Sequence, residues 1–386
     1  MRKPLKVLYV THYGTLYGAN RSMLDMILTL REKYHIVPCV LLNKHGDLEK
    51  ELEKNGIDYI YGKYYSCTVS KNGKIKFLIK LMIKKVIRPF SYFMVIKNLK
   101  NHFDIIHSNS SAVDIGYYIS RKFRYIHIWH IREFGWEDYN FEQIDSSRKV
   151  KDRYLNTDGV IAVSRSVEEM ILDIDGQITV NAVYNGIEIP EKYEKVFCTD
   201  NKVHFCTIGV ICKNKNQMEA VRAVKYLVKE GYHNFYLHIV GGEGADGEFY
   251  VIKKFIEENH LEGYVELTGY RYDVPIFLKK MDVGIMGSYK EAFGRVTIEY
   301  MSNYMPVIGV NTGGTKELIK NGENGLFYDL GDSVDLAEKM KEFIDKPYLL
   351  KDMGLRAREF SEQFTAGSNA DNIYSVYMNA YTYKNR

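Results

Sequence analysis

The stretch Ser288–Gly314, SYKEAFGRVTIEYMSNYMPVIGVNTGG, decides how the rest of this 386-residue chain is read. A polar loop leads into apolar residues at helical spacing, then into a short strand, Pro-Val-Ile, and a Gly313-Gly314 turn. Glu291 and Glu299 stand eight apart with Phe293, Gly294 and Arg295 between them. A helix that starts near Gly294 or Arg295 has unpaired N–H groups and the positive end of its dipole there, which suits a phosphate. Glu291 then lies in the loop before the helix and Glu299 about one turn inside it. Both carboxylates are good acceptors for sugar and ribose hydroxyls. Taken alone, two glutamates at this spacing read more simply as a solvated loop residue and an exposed helix position.

The whole run changes that balance. E-A-F-G-R-V-x-I-E-x-M from Glu291, P-V-I-G-x-x-x-G-G-x-x-E-L-I from Pro306 and N-G-x-N-G-L from Asn321 lie within Gly284–Phe327. This run resembles the donor-binding half of the retaining family 4 glycosyltransferases of GT-B fold. The resemblance implies two Rossmann-like domains facing across a cleft, the second holding a nucleotide-sugar donor, with UDP the expected carrier, and the first holding the acceptor. It also implies retention of anomeric configuration, no cofactor and no metal. Glu291 would take hydroxyls of the donor sugar and Glu299 those of the ribose. Lys215, in KNKNQ, matches the family's phosphate-binding lysine, and Arg295 with the backbone of Phe293 and Gly294 would share the diphosphate. Tyr270 and Arg271 stand where the family contacts the base. Gly18, with Ala19, Asn20 and Arg21, matches the glycine loop of the first domain. His130, in HIREF, matches a histidine beside the transferred sugar, with His107 and Arg132 on the acceptor side. Glu291, His130 and Lys215 are thus the residues implied to carry catalysis. One departure stands out: Val210 follows Gly209 where the family usually has arginine, which removes a cation that Lys213 or Arg295 would have to replace.

Outward from this stretch, the chain is long enough for two domains, each with its own core. Leu5–Thr11, Ile36–Leu42, Ile57–Tyr61, Asp104–Asn109, Tyr125–Glu133 and Asp158–Val163 read as strands, with helical segments between them. Such alternation argues for a mostly parallel α/β sheet. Asn185-Gly186, Pro190 and the polar segment to Lys202 mark a boundary. The expected division is 1–187, 188–365 and a C-terminal helix, 366–386, that returns to the first domain. A helix is expected at Val334–Ile344 and a single long one from about Lys351. His107 and His130 sit near the C-terminal ends of their strands, where α/β folds place ligands; a lone histidine is as readily structural, and His127 reads as packed.

Net charge is +4, yet no Asp or Glu occurs between Tyr59 and Phe103, where Lys71, Lys74, Lys76, Lys80, Lys84, Lys85 and Arg88 gather. Lys76, Lys80, Lys84 and Arg88 recur every four residues and would form a ridge on a helix that Pro89 ends or kinks. A basic amphipathic segment over 71–100 suits an anionic membrane surface; an ordinary solvated basic face is the alternative. No nucleic-acid motif accompanies the charge. The run LKVLYV is of strand length, and the five cysteines are odd in number without a C-x-x-C, so a reducing, cytoplasmic setting is expected, peripheral to the inner face of the plasma membrane. Asp173-Ile174-Asp175 closes a helix and is discounted as a metal motif.

Three rivals share parts of this pattern. A sugar-nucleotide epimerase of the same fold would not need an acceptor-side basic surface, a non-catalytic relative would explain Val210, and a nicotinamide dehydrogenase would need G-x-G-x-x-G after the first strand, which is absent.

Overall fold

Strands alternate with helices through both halves of the chain, and each half closes its own parallel sheet. The computed structural model describes residues 3–70, 74–198 and 200–384. By its contacts the chain forms two units, 1–187 with 366–386, and 188–365.

The first unit runs β1 (Lys6–Val10), α1 (Gly18–Tyr34), β2 (Val37–Leu42), α2 (Asp47–Lys54), β3 (Asp58–Tyr61), β4 (Thr68–Ser70), α3 (Lys74–Asn98), β5 (Ile105–Ser108), α4 (Ile115–Phe123), β6 (Ile126–Ile131), α5 (Trp136–Tyr139), β7 (Phe141–Gln143), α6 (Ser147–Leu155), β8 (Gly159–Ala162), α7 (Arg165–Ile174) and β9 (Val180–Ala182). Seven of these strands pair in the order β3-β2-β1-β5-β6-β8-β9, all parallel, while β4 and β7 form an antiparallel pair. A strand buried on both faces must be apolar throughout. In β1, Val7 and Tyr9 point into one core with Ile27 and Leu30, whereas Leu8 and Val10 point into the other with Ile106, Ile115 and Ile119. This is the period-two alternation of a strand.

The second unit runs β10 (Val203–Ile208), α8 (Gln217–Lys229), β11 (Phe235–Val240), α9 (Glu248–Glu258), β12 (Val265–Gly269), α10 (Val274–Leu278), β13 (Val283–Met286), α11 (Arg295–Ser302), β14 (Val307–Val310), α12 (Thr315–Leu318), β15 (Gly325–Tyr328), α13 (Ser333–Asp345) and α14 (Tyr348–Ser361). Its sheet order is β12-β11-β10-β13-β14-β15, again all parallel. The helix expected from Lys351 is in fact two, α14 and α15 (Ala366–Lys384), separated at 362–365. α15 belongs to the first unit: Ala370, Ile373, Val376 and Tyr377 complete the core on the Val7 face, and Tyr374 stacks on Tyr34.

One expectation about α3 is narrowed, to a helix that Pro89 does not end, and another is corrected. Pro89 does not end the helix, which continues to Asn98, because Tyr92 and Val95 beyond the proline are buried in the core. Nor do the basic residues form a solvent-facing ridge. Each step of four residues advances about 40° around a helix, so the row turns inward as it ascends. Lys76 and Lys80 are exposed, Lys84 bonds Ser66 Oγ and the Thr68 carbonyl at 2.7 Å each, and Arg88 is buried. The face left to solvent is mainly apolar, with Leu78, Ile79, Met82, Ile83, Val86, Phe90 and Phe93 exposed among Lys76, Lys80 and Lys85. Residues 71–73 of the basic segment lie outside the described residues.

Ile373 is fully buried. Ile373→Ala is therefore expected to cost about 2–4 kcal/mol in denaturant unfolding; a loss below about 1 kcal/mol would show that α15 packs loosely on the first unit.

Candidate functional site

In a doubly wound sheet, ligand sites form where strand order reverses, beyond the C-terminal ends of the strands. In the second unit that reversal lies between β10, which pairs β11 on one side, and β13 on the other. The loops after β10 and β13 must therefore meet. The Tyr289 amide donates to the Asn214 carbonyl at 3.1 Å, and the Lys215 ammonium, on a 3-10 turn over Lys213–Lys215, pairs with Glu291 Oε1. Ser288 Oγ donates to the same oxygen at 2.8 Å.

The Glu291 loop is held by backbone packed on backbone. Gly314 donates to the Glu291 carbonyl at 2.7 Å, and a Cβ on Gly313 or Gly314 would lie 2.4 Å from Glu291 O or 2.6 Å from Ala292 O. Gly294, at φ +85°, turns the chain into α11 without a side-chain cap. Arg295 opens that helix and its Nε donates to Glu299 Oε1 at 2.9 Å, one turn on. Phe293 is buried, its ring 5.9 Å from that of Phe364.

Lys215, Glu291, Phe293, Gly294, Arg295 and Glu299 thus share one edge of the second sheet. Tyr270 and Arg271 follow β12 on the same edge, but the Arg271 guanidinium is held by Asp273 at 2.9 and 2.7 Å and lies over the Phe277 ring. Tyr270 is exposed and packs edge-on against Tyr272. Val210 stands half-exposed after Gly209, its carbonyl accepting from Gln217 Nε2 at 3.1 Å.

The first unit assembles a second set around its own reversal, between β1 and β5. His107 and His130 are fully buried neighbours, with Nε2 of the first 3.2 Å from Nδ1 of the second. Arg132 Nη2 lies 3.3 Å from His130 Nδ1, its Nε donates to Asn109 Oδ1 at 2.5 Å and its Nη1 to Asn185 Oδ1 at 2.6 Å. Burial, followed by the nearby Arg132 charge, pushes both imidazoles well below the usual histidine range, so both are neutral. A guanidinium only donates. His130 Nδ1 must then accept, its proton sits on Nε2, and Nε2 has no partner among the described residues. His107 in turn accepts from the Tyr377 hydroxyl at 2.7 Å. Asn109 Nδ2 donates to the Ala19 carbonyl at 3.3 Å, which ties this set to the start of α1. Gly18 is the first residue of that helix, with open space beside it and no side-chain cap.

Ser288, Asn109 and Tyr377 were not singled out as site residues in the sequence, and Asn185 was read only as part of a turn. Ser288 borders a recognised run and could have been found by its proximity to Glu291. Tyr377 lies 270 positions from His107 and carries no local signal. His127, read as packed, is buried between Ser108 Oγ at 2.9 Å and Thr157 Oγ1 at 3.0 Å. Asp175, from the discounted metal motif, pairs with Lys151 at 2.6 Å.

Residues 17–190 match the family model described as Glycosyltransferase Family 4, and residues 189–360 the one described as Glycosyl transferases group 1. Among curated relatives, the N-acetyl-alpha-D-glucosaminyl L-malate synthase of Bacillus anthracis is 32% identical over 62% of this chain and 61% of its own length. The capsular polysaccharide biosynthesis glycosyltransferase CapM of Staphylococcus aureus is 28% identical over 56% of this chain and 60% of its own. The chain thus spans about three fifths of the length of each of these relatives. Among solved structures, Anabaena HepE in complex with UDP and glucose superposes with a TM-score of 0.78 at 20% identity, covering 97% of this chain and 99% of that one. S. aureus TarM superposes at 0.75 with 14% identity over 98% of both chains. The fold is that of these GT-B proteins.

Burial holds His127 at about 3, below its ordinary 6.5. The folded state refuses a proton that the unfolded chain accepts, so this stability is full above about pH 6.5 and is lost as pH falls, at about 1.4 kcal/mol per unit for each such histidine. Denaturant unfolding between about pH 7 and pH 5 should show a slope shallower by about one proton in His127→Gln than in the unaltered protein; equal slopes would mean that His127 is charged when folded.

Proposed function

The chain belongs to the family 4 glycosyltransferases, with a group 1 glycosyl transferase domain as its second half, and from that premise we propose that it moves a sugar from a nucleoside diphosphate donor to a glycan or lipid-linked acceptor. The observation that carries this reading is the Lys215–Glu291 pair at the reversal point of the second sheet, beside the uncapped start of α11.

Without ligand, each candidate cation neutralises a candidate carboxylate, Lys215 with Glu291 and Arg295 with Glu299. A donor supplies the complement of both members: its diphosphate takes the cations, and its ribose and sugar hydroxyls take the carboxylates. As the bond from the anomeric carbon to the diphosphate oxygen lengthens, negative charge grows on the leaving group. Lys215, Arg295 and the first amides of α11 stabilise that charge without calling on a metal. Preorganised stabilisation of this kind usually contributes more to an enzyme's rate than any other single effect. The neutral His130 carries its proton on Nε2, which is enclosed within the first unit. Glu291, engaged by Lys215 and Ser288, is proposed to serve the donor's hydroxyls; retention is what the family resemblance implies, the acceptor hydroxyl attacking on the face the leaving group vacates and its proton passing to the departing diphosphate oxygen.

UDP is the proposed carrier, supported by the ligand of Anabaena HepE, and surface polysaccharide the proposed product class, supported by CapM. We place the enzyme at the cytoplasmic face of a membrane. Among the described residues no helix is long and apolar enough to cross one, and the exposed apolar face of α3, interspersed with Lys76, Lys80 and Lys85, suits an interfacial position.

Thermal melting with UDP, GDP and ADP tests the donor site, since a ligand of the folded state raises Tm. UDP should stabilise the protein, and Glu299→Ala should weaken that binding about tenfold. Lys215→Ala should lower the rate of sugar transfer about 10²–10³-fold. No stabilisation by any of the three nucleotides would sink the proposal.

A further inference from the structure

One buried carboxylate in the second unit reaches the residue next to Lys215. Glu219 stands in the first turn of α8, where an acidic side chain is ordinary because it meets the positive end of the helix. This one, however, is only 4% exposed, and its Oε2 accepts from Asn216 Nδ2 at 2.5 Å and from the Tyr328 hydroxyl at 2.8 Å. The Gly331 amide is a further donor to the carboxylate. Burial raises the Glu219 carboxyl above its usual range, and Tyr328, Gly331 and Asn216 act against that rise. Tyr328 closes β15 and is buried; burial and the Glu219 charge hold its hydroxyl far above the usual tyrosine range, so it stays a donor.

Asn216 matters because of its place. It follows Lys215 directly, closes the 3-10 turn over Lys213–Lys215 and precedes the first residue of α8. Its φ of +54° lies in the left-handed region, where a residue with a side chain is strained and needs local support. The Asn216 amide donates to the Lys213 carbonyl at 3.1 Å, and its own carbonyl accepts from the Glu219 amide at 3.1 Å, so the bond from Nδ2 is the second between the same two residues. The loop after β13, which carries Ser288 and Glu291, rests on the same group. A Cβ on Gly287 would lie 3.0 Å from the Tyr328 hydroxyl and 3.5 Å from the Asn216 carbonyl oxygen. Side chains from α8 and β15 thus meet beside both loops that supply the Lys215–Glu291 pair. Apolar residues would fill this space without burying a charge, and replacing both partners of a buried polar contact by apolar groups is often nearly neutral. Stability of the fold alone gives no reason for a carboxylate here.

We infer that Glu219 is a positioning residue for the donor site: with Tyr328 it clamps Asn216, fixes the turn that ends at Lys215, and so holds the ammonium where the donor's diphosphate is bound. This rests on the donor reading of the Lys215–Glu291 pair. A lysine ammonium sits on a flexible four-carbon stem, so its backbone must be held if the charge is to be placed. A turn free to shift on the order of 1 Å is enough to cost an enzyme much of its rate. Glu219 acts through Lys215, and its effect falls on recognition of the phosphates and not of the nucleoside. That division separates it from a residue that only supports the fold.

The test is calorimetric titration of the full chain with UDP and with uridine, which lacks the phosphates. Glu219→Leu should weaken UDP at least about tenfold and leave uridine within about twofold. Tyr328→Phe, which removes only the hydroxyl, should weaken UDP about threefold, again with uridine unchanged. Glu219→Gln should keep UDP within about threefold of the unaltered protein, because its amide oxygen accepts from Asn216 and Tyr328 in place of the carboxylate. Lys215→Ala should lose at least as much UDP affinity as Glu219→Leu, and adding Glu219→Leu to it should weaken UDP no further, since the clamp then has no ammonium to place. Equal losses of UDP and uridine in Glu219→Leu, unchanged UDP binding in both Glu219→Leu and Tyr328→Phe, or additive losses in the double variant would overturn the positioning role and leave the donor site standing. No binding of UDP by the unaltered protein would overturn the donor reading itself, and this role with it. If Glu219→Leu does not fold, Tyr328→Phe, alone and combined with Lys215→Ala, decides by the same criteria.

Discussion

Close approach of backbone to backbone at the C-terminal edge of the second sheet is the constraint on which the rest of that unit depends. A Cβ on Gly241 would stand 1.8 Å from the Gly209 carbonyl oxygen, and Gly314 leaves little more room against Ala292 and Phe293. Contacts this short admit only glycine. They let loops converge at one edge without side chains holding them apart, so that groups with chemistry to offer can meet there. Lys215 meets Glu291 because a parallel sheet must reverse its order somewhere, and β10 and β13 flank that point.

The first unit solves a different problem, that of holding polar side chains in a core. His107, His130 and Arg132 are buried together, and burial beside the guanidinium keeps both histidines neutral while amide oxygens of Asn109 and Asn185 meet the arginine. Such a network is costly if half-made and rigid if complete. Its anchor is Tyr377, supplied by a helix that follows the entire second unit in the chain. The neutral state and the protonated Nε2 of His130 are thus consequences of packing, set by residues from separated segments.

The α3 helix shows how one segment can serve core and surface. Its inward stripe carries Tyr92, Val95 and Leu99 into the core on the Leu8 face, with Arg88 held in an ion network below. Its outward face keeps the apolar residues that a solvated helix would replace by polar ones. An exposed patch of this kind marks an interaction surface.

The strand–helix alternation of a mostly parallel α/β sheet and the loop-to-helix step from Glu291 to Glu299 followed from the sequence alone, because each depends on residues close together in the chain. Period, turn residues and glycine positions are local signals. The core contacts of α15 in the first unit, the break between α14 and α15, the inward turn of Lys84 and Arg88, and the passage of α3 through Pro89 were decided only in the folded chain. Charge counting reads a lysine or arginine as solvated unless a distant partner is known. Asp114, Asp145 and Arg153 close around Arg88 from segments up to 65 residues apart that the sheet brings together, and no local pattern announces it. Local periodicity determined what each element is; long-range packing determined which of its faces is inside, and hence which charges remain available for function.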